Sequence, residues 1–428
     1  MPRSSLLIEA VSACQILDSR GYPTIEVKLR LGDGAIVSAA APAGASTGAH
    51  EAVELRDGGS EYSGRSVHAA VAMAEGELAD LLTTHSWHSL AEVDYAMREL
   101  DGTANAARLG GNTLVAMSMA ASRGFALAAH LPLHSWIALV TESKERLPVP
   151  HFNVLNGGAH AANELDFQEF MIAPVGADSF EAAVRCGAET YHALAKRIRK
   201  QYKETGLGDE GGFAPRVARP EEALGLVAEA ISDAGYTPGI GNVAIALDPA
   251  ANGFRTGSGY RVAGEDLSGN QLLEYYLRLV DAFPIRSVED GFAEDDAAGW
   301  LSQFGRLGSR IQLVGDDLYV TDPARIADGA RRQLSNAVLI KPNQIGTVTQ
   351  TLEAILVARE HGMACMVSHR SGETLDTFIA DLAVGTGVGQ IKAGAPARGE
   401  RVAKYNRLAE IARDNPELPY GLERTSIH

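Results

Sequence analysis

Six short apolar runs, each closing on a charged residue, constrain this chain more than any other feature. Val243-Ala244-Ile245-Ala246-Leu247 stops at Asp248, residues 285–288 lead into Glu289-Asp290, and residues 311–315 into Asp316-Asp317. Residues 337–340 end at Lys341, residues 363–368 at His369-Arg370, and Gly389-Gln390-Ile391 at Lys392. Runs rich in Val, Ile and Leu, bounded by turn signals, read as buried strands. Their charged ends recur every 23 to 41 residues. Most of these intervals suit a strand, a helix and two short loops, so the pattern predicts successive βα units. In a (β/α)8 barrel the functional side chains gather where strands end, at the carboxyl face. One strand ending in Asp carries little information. Six ending in carboxylates, lysines or a His-Arg pair predict a metal-assisted acid–base site on that rim.

At 428 residues the chain exceeds one ordinary core, and two domains are expected. Residues 6–41 alternate like antiparallel strands, with Gly32-Asp33-Gly34 as a hairpin turn. The small-residue run from Pro42 to Gly48 reads as a loop able to move, as active-site lids do. From residue 67 to residue 130 the pattern turns helical and Ala-rich, broken at Gly102 and Gly110-Gly111. Leu147-Pro148-Val149-Pro150 reads as a joint, since paired prolines hold a stretch extended. The expectation is an α/β chain: a smaller N-terminal α+β domain over 1–140, carrying the mobile loop 42–48, then a (β/α)8-type TIM barrel over 141–428. Amphipathic helices are predicted over 179–203 and 223–234.

Composition narrows the function classes. Apolar residues at 46% and charged residues at 21% are globular values. A formal net charge of −16 argues against a nucleic-acid or anionic-membrane surface. A small anionic substrate stays compatible, because Lys341, Arg370 and Lys392 supply a local cationic cluster. Cys14, Cys186 and Cys365 are far apart and form no CxxC pair, so neither a disulfide framework nor a zinc site is expected. No signal-peptide pattern opens the chain, and no apolar run approaches the ~18 residues of a membrane span. A soluble, cytoplasmic protein is the expectation. The GxGxxG and GxxxxGK[ST] patterns are absent.

Asp248, Glu289 and Asp316 on neighbouring strands would converge. Hard divalent ions take oxygen ligands, and three carboxylates suit a Mg²⁺ that keeps positions open for substrate. Each acid alone reads better as a helix cap; the three together favour the ion. Lys341 ends an apolar strand, where burial and other cations are expected to lower its pKa and make it a base. The alternative is a lysine paired structurally with a barrel carboxylate. Gly208-Asp209-Glu210-Gly211-Gly212 places two acids in a turn whose glycines let the backbone approach a ligand closely. His160, after Asn156-Gly157-Gly158-Ala159, reads equally as a satisfied structural histidine. Arg370 and Ser371, following a strand, suit phosphate binding.

Together these segments resemble the enolase family, the phosphopyruvate hydratases. The similarity runs from Asp18-Ser19-Arg20-Gly21 through Gln168-Glu169-Phe170-Met171 to Val402-Ala403-Lys404-Tyr405-Asn406. Its most specific pieces are the Gly208–Gly212 turn, Lys341-Pro342-Asn343-Gln344-Ile345-Gly346, Ser368-His369-Arg370-Ser371-Gly372-Glu373-Thr374 and Gly389-Gln390-Ile391-Lys392. The resemblance implies a modified (β/α)8 barrel and the reversible dehydration of 2-phosphoglycerate to phosphoenolpyruvate. A Lys or His base with one or two Mg²⁺ ions is the general pattern of the superfamily, not a deduction from this chain. By the resemblance, Asp248, Glu289 and Asp316 hold a first Mg²⁺, and Ser46 helps bind a second that arrives with substrate. Lys341 removes the α-proton, Lys392 offsets charge on the intermediate, and Glu210, assisted by Glu169, protonates the departing hydroxyl. His160 and His369 lie close to the substrate, Arg370 and Ser371 bind phosphate, and Gln168 joins the substrate contacts.

The surroundings of these groups depart from the family pattern. Tyr22 replaces an Asn, Ala43 a Ser, Arg216 an Asn, Leu375 an acidic residue and Ala393 a Thr, while Pro249 and Pro342 follow Asp248 and Lys341. Cys14, Glu410 and Ala412 alter charges that the family uses between subunits, so a homo-oligomer (dimer or larger) with changed ion pairs is expected. These departures keep a second reading open: a carboxyphosphonoenolpyruvate synthase-like enzyme of phosphonate natural-product biosynthesis, using the same metal and phosphate site. A non-catalytic binding protein fits poorly with Lys341, Glu210 and the three metal carboxylates all present.

Overall fold

Alternating apolar residues bring the first three strands together: β1 (Ile8–Leu17), β2 (Pro23–Leu31) and β3 (Ile36–Ala40) form an antiparallel sheet. The computed structural model describes residues 5–44, 48–203, 206–257 and 259–422. The Gly32–Gly34 turn joins β2 to β3, and Asp33 Oδ1 accepts the Ala35 N–H at 2.9 Å. Ile25, Val27 and Leu29 are fully buried and alternate with more exposed Glu26, Lys28 and Arg30, the period of a half-buried strand. Their apolar face rests on the helix Gly111–Ala128, which is buried along nearly its whole length. Small residues permit the close approach: a Cβ on Gly124 would meet the Leu6 side chain at 3.0 Å. Among the described residues no single helix is long and apolar enough to cross a membrane.

The second half is a closed eight-stranded barrel. It is built from β4 (Val149–Asn156), β5 (Glu169–Ala173) and β6 (Ala244–Asp248), then, past a small outlying hairpin of β7 (Tyr260–Val262) and β8 (Glu265–Leu267), from β9 (Ile285–Glu289), β10 (Gln312–Gly315), β11 (Ala337–Ile340), β12 (Ala364–Ser368) and β13 (Gln390–Lys392). Each of the six apolar runs is a barrel strand. Val338, Ile340 and Val367 pack outward against the helices, while Val314, Ala337, Leu339 and Met366 form a separate apolar cluster. The two predicted helices form as Phe180–Tyr202, capped by Ser179, and Pro220–Asp233, whose proline occupies the first turn where no N–H partner is needed.

One strand is reversed. β5 runs antiparallel to both β4 and β6, because the connection over residues 157–168 holds only the short turn Gly158–His160 and no crossover helix. The reversal has a chemical consequence. Glu169 begins β5, yet it pairs with Asn156 and Asp248, the last residues of its neighbours, and so reaches the rim where the other strands end.

The N-terminal strands and loops dock on that rim. Ala43 and Gly372 exchange main-chain hydrogen bonds of 2.8 and 2.9 Å, and the Ser19 N–H donates to the Glu373 carbonyl at 2.7 Å. Only glycine fits at 372, where a Cβ would lie 2.3 Å from Asp18 Oδ2.

His151 in β4 is buried, and its Nδ1 lies 3.3 Å from the Val149 carbonyl oxygen. Burial, with Arg286 and Lys392 pushing the same way, lowers its pKa from 6.5 to about 4. The unfolded chain takes up this proton near pH 6.5, whereas the native state refuses it until about pH 4. The stability contributed by neutral His151 is therefore complete above pH 6.5 and lost as pH falls toward 4, up to about 3 kcal/mol. Urea unfolding followed across that range should show a shallower acid decline for His151→Gln than for the wild type. Equal slopes would exclude His151 as a source of the acid sensitivity.

Candidate active site

The charged strand ends open on one cavity. Asp248, Asp316, Lys341, His369, Arg370, Ser371 and Lys392 line it with His160, Gln168, Glu169 and Glu210. Glu289 reaches the same group of side chains through Lys392, whose ammonium lies 2.8 Å from both its carboxylate oxygens. Every predicted site residue in the described parts of the chain is thus drawn to this rim. Ser46, predicted to help bind a second ion, lies outside the described residues.

One wall is acidic. The Lys392 ammonium is also 3.4 Å from Glu169 and 3.5 Å from Asp248. Burial, then the neighbouring Asp248, drives the Glu289 carboxyl well above its usual range, and Lys392 only partly opposes this. Asp290 accepts the backbone N–H groups of Asp316 and Asp317 at 2.9 and 2.8 Å, fixing the turn that carries both acids. It does so with φ at +41°, a costly conformation for a residue with a Cβ and one that clusters at functional sites. Oxygens of Asp290, Asp316 and Asp317 lie within 4.8 Å of one another, so these acids could also hold an ion. Of the trio read from sequence, Asp316 belongs to this cluster, while Asp248 and Glu289 meet at Lys392. All these donors are hard oxygens, which fit a divalent cation of the Mg²⁺ type.

Lys341 corrects an expectation. Burial lowers an ammonium's pKa, and Arg370 and Lys392 act in the same sense, but contact with the Asp316 carboxylate outweighs them and raises it. In this state Lys341 is a paired ammonium, the alternative that the sequence left open.

The opposite chemistry gathers around Glu210. Its carboxylate accepts from Asn153 Nδ2 at 2.8 Å and lies 3.2 Å from His369 Nε2. His160 Nδ1, buried without a hydrogen-bond partner among the described residues, sits 3.7 Å from Glu210 and 3.9 Å from Glu169. Burial raises both carboxyls, yet His369, His160 and Arg401 outweigh it at Glu210 and pull its pKa well down. At Glu169 burial prevails, Glu210 and Asp248 adding to it against Lys392. Of the two carboxyls, Glu169 therefore holds a proton the more tightly. The glycines around Glu210 pack on the protein itself, where a ligand contact had been expected. A Cβ at Gly212 would lie 2.5 Å from Asn156 Oδ1, and one at Gly208 would lie 2.7 Å from the His160 carbonyl oxygen.

Two members of the site carried no strand-end signal in the sequence. Glu51 forms a buried ion pair with Arg370, at 2.9 and 3.3 Å, and accepts the Gly48 N–H at 2.9 Å. Gln344 donates to Glu51 at 3.4 Å and to Asp316 at 2.9 Å, while its carbonyl accepts from Thr321 at 2.7 Å. An internal acid in a polar stretch is indistinguishable from a solvated one until the fold buries it. Removing one member of a buried pair typically costs several kcal/mol. Glu51→Gln should therefore lower stability by about 3 kcal/mol. Inorganic phosphate should raise the melting temperature of the variant more than that of the wild type, because Glu51 no longer competes for Arg370. Equal gains would show that Glu51 and an anion do not share that guanidinium.

The sequence matches the enolase N-terminal domain over residues 8–137 and the enolase C-terminal TIM barrel domain over residues 144–418. With the barrel, the docked N-terminal sheet and this rim in place, the chain belongs to the enolase family.

Proposed function

We propose that this protein catalyses the Mg²⁺-dependent, reversible dehydration of 2-phosphoglycerate to phosphoenolpyruvate. The observation that carries the reading is one cavity lined by a lysine, a buried pair of carboxyls with unlike proton affinities, and Arg370 beside Ser371. Unlike affinities in adjacent acids are how a site assigns a proton carrier and a carboxylate.

Arg370 and Ser371 bind the phosphate group. Lys341, as the free amine, takes the proton from the carbon beside the carboxylate, and the electron pair left behind is delocalised onto that carboxylate. The Lys392 ammonium faces the growing negative charge. The proton held on Glu169 supplies the Glu169–Glu210 pair, and the hydroxyl leaves as water when Glu210 protonates it, with formation of the carbon–carbon double bond. Asp248, Glu289 and Asp316 would hold Mg²⁺. Mg²⁺ held there would supply positive charge beside the substrate carboxylate, and an Asp316 carboxylate engaged as its ligand would no longer hold the proton on Lys341.

Purified protein incubated with Mg²⁺ and 2-phosphoglycerate should form enol phosphate, followed by ultraviolet absorbance. A chelator should abolish turnover, and Lys341→Ala should lower kcat roughly a thousandfold or more. Metal-dependent binding without turnover would move the assignment to an enolase-like enzyme of phosphonate biosynthesis. Absence of binding would sink both.

A further inference from the structure

Arg401, in the first turn of the helix Gly399–Asp414, is completely buried and lies close enough to Glu210 to lower its pKa. Its guanidinium reaches three separate loops. Nη1 donates to His369 Nδ1 at 2.5 Å and to the Arg370 carbonyl at 2.6 Å. Nη2 donates to the carbonyls of Ser371 at 2.6 Å and Asp209 at 3.1 Å, and reaches the Ser19 hydroxyl at 3.4 Å. The fold makes room for it. Gly394 takes φ +86°, and a Cβ there would lie 2.7 Å from Arg401 Cδ and 2.9 Å from the Glu210 carbonyl oxygen.

A guanidinium has five donors and no acceptor, and it stays protonated inside proteins. The histidine nitrogen that faces it must therefore present a lone pair. His369 is buried and neutral at physiological pH, since burial, with Arg401 adding to it, holds its pKa at about 4. Its one ring proton then has only Nε2 to occupy, and Nε2 is the nitrogen 3.2 Å from Glu210 Oε2.

We infer that Arg401 is a positioning residue: it fixes His369 as the Nε2–H tautomer, so that the ring proton sits on the nitrogen that lies nearest Glu210. The same guanidinium clamps the loop carrying Glu210 to the loop carrying Arg370 and Ser371. In the other tautomer two donors would meet at Nδ1 and two acceptors at Glu210. The tautomer assignment follows from geometry alone; only its effect on turnover rests on the hydratase reading.

The test uses the full-length protein in Mg²⁺ buffer with ¹⁵N-labelled histidine side chains, His369 being assigned by loss of its signals in His369→Gln. In the wild type His369 should show a protonated Nε2 and an unprotonated Nδ1. Arg401→Lys retains a donor and should keep that tautomer. Arg401→Met should give a mixed or reversed tautomer and lower kcat for 2-phosphoglycerate roughly tenfold to a hundredfold, the usual effect of removing a group that orients a reactive side chain. A proton on Nδ1 in the wild type overturns the inference even if the variants fail to fold. An unchanged tautomer in folded Arg401→Met overturns it too. Wild-type protein with the expected tautomer but no turnover would reject the hydratase reading and leave the assignment of Arg401 standing.

Discussion

The Lys392 ammonium, buried among Glu289, Glu169 and Asp248, sets the terms for the rest of the site. Charges out of water are tolerated only when paired and hydrogen-bonded. Here, among the described residues, the pairing is incomplete: Asp248, Asp290, Asp316, Glu51, Glu169, Glu210 and Glu289 are all buried, against Lys341, Lys392, Arg370 and Arg401. Such an excess has two physical remedies, uptake of protons or uptake of a cation. Glu169 and Glu289 show the first, with carboxyls raised well above their usual range. The oxygen donors provide for the second. A site poised between these remedies is what an elimination beside a carboxylate requires, since the reaction both moves protons and creates anionic charge.

The fold delivers this crowding through one irregularity. In a barrel of parallel strands only the last residues reach the carboxyl rim. Reversing β5 brings a strand's first residue there, so that Glu169 stands directly beside Asp248 in the β5–β6 pairing. The turn before β5 places His160 close to the carboxyls of both Glu169 and Glu210. The N-terminal domain completes the site from the other side, with Glu51 on Arg370 and Asp18–Arg20 against the Ser371–Glu373 loop.

How much of this the sequence disclosed follows from the kind of signal each residue gives. The barrel strands were legible because buried parallel strands are apolar throughout and stop sharply at a charge. Asp248, Glu289, Asp316, Lys341, Arg370 and Lys392 all stand at such stops. Glu169 begins its strand instead of ending it, and only the resemblance to a known family singled it out. Glu51, Gln344 and Arg401 act through side chains from polar stretches and a helix start, where periodicity says nothing of burial. The direction of the Lys341 shift was missed for a different reason. Burial and the neighbouring cations were inferred correctly, but the opposing term is a contact with Asp316 on a neighbouring strand. Spacing places residues on a rim without telling which of them touch.

The unusual neighbours of the charged strand ends can be weighed by the same physics. Pro342 follows Lys341 at the first position of the short helix Pro342–Ile345, where a missing N–H costs nothing. Ala43 meets Gly372 through its main chain, so a shorter side chain leaves those bonds intact. Tyr22 lies 4.0 Å under the Arg65 guanidinium, and Leu375 is 71% exposed, away from the cavity lining. Pro249 leads into Ala250 at φ +50°, whose N–H donates to Asp248 Oδ1 at 2.9 Å and fixes that carboxylate. Ala393 differs, because it is buried next to Lys392 and its N–H donates to the Tyr405 hydroxyl at 3.3 Å. The Ala393 side chain packs in the apolar core, where a hydroxyl-bearing side chain would add a polar group, and alanine avoids it. Of all the departures, Ala393 alone stands next in the chain to the ammonium on which the balance of buried charge depends.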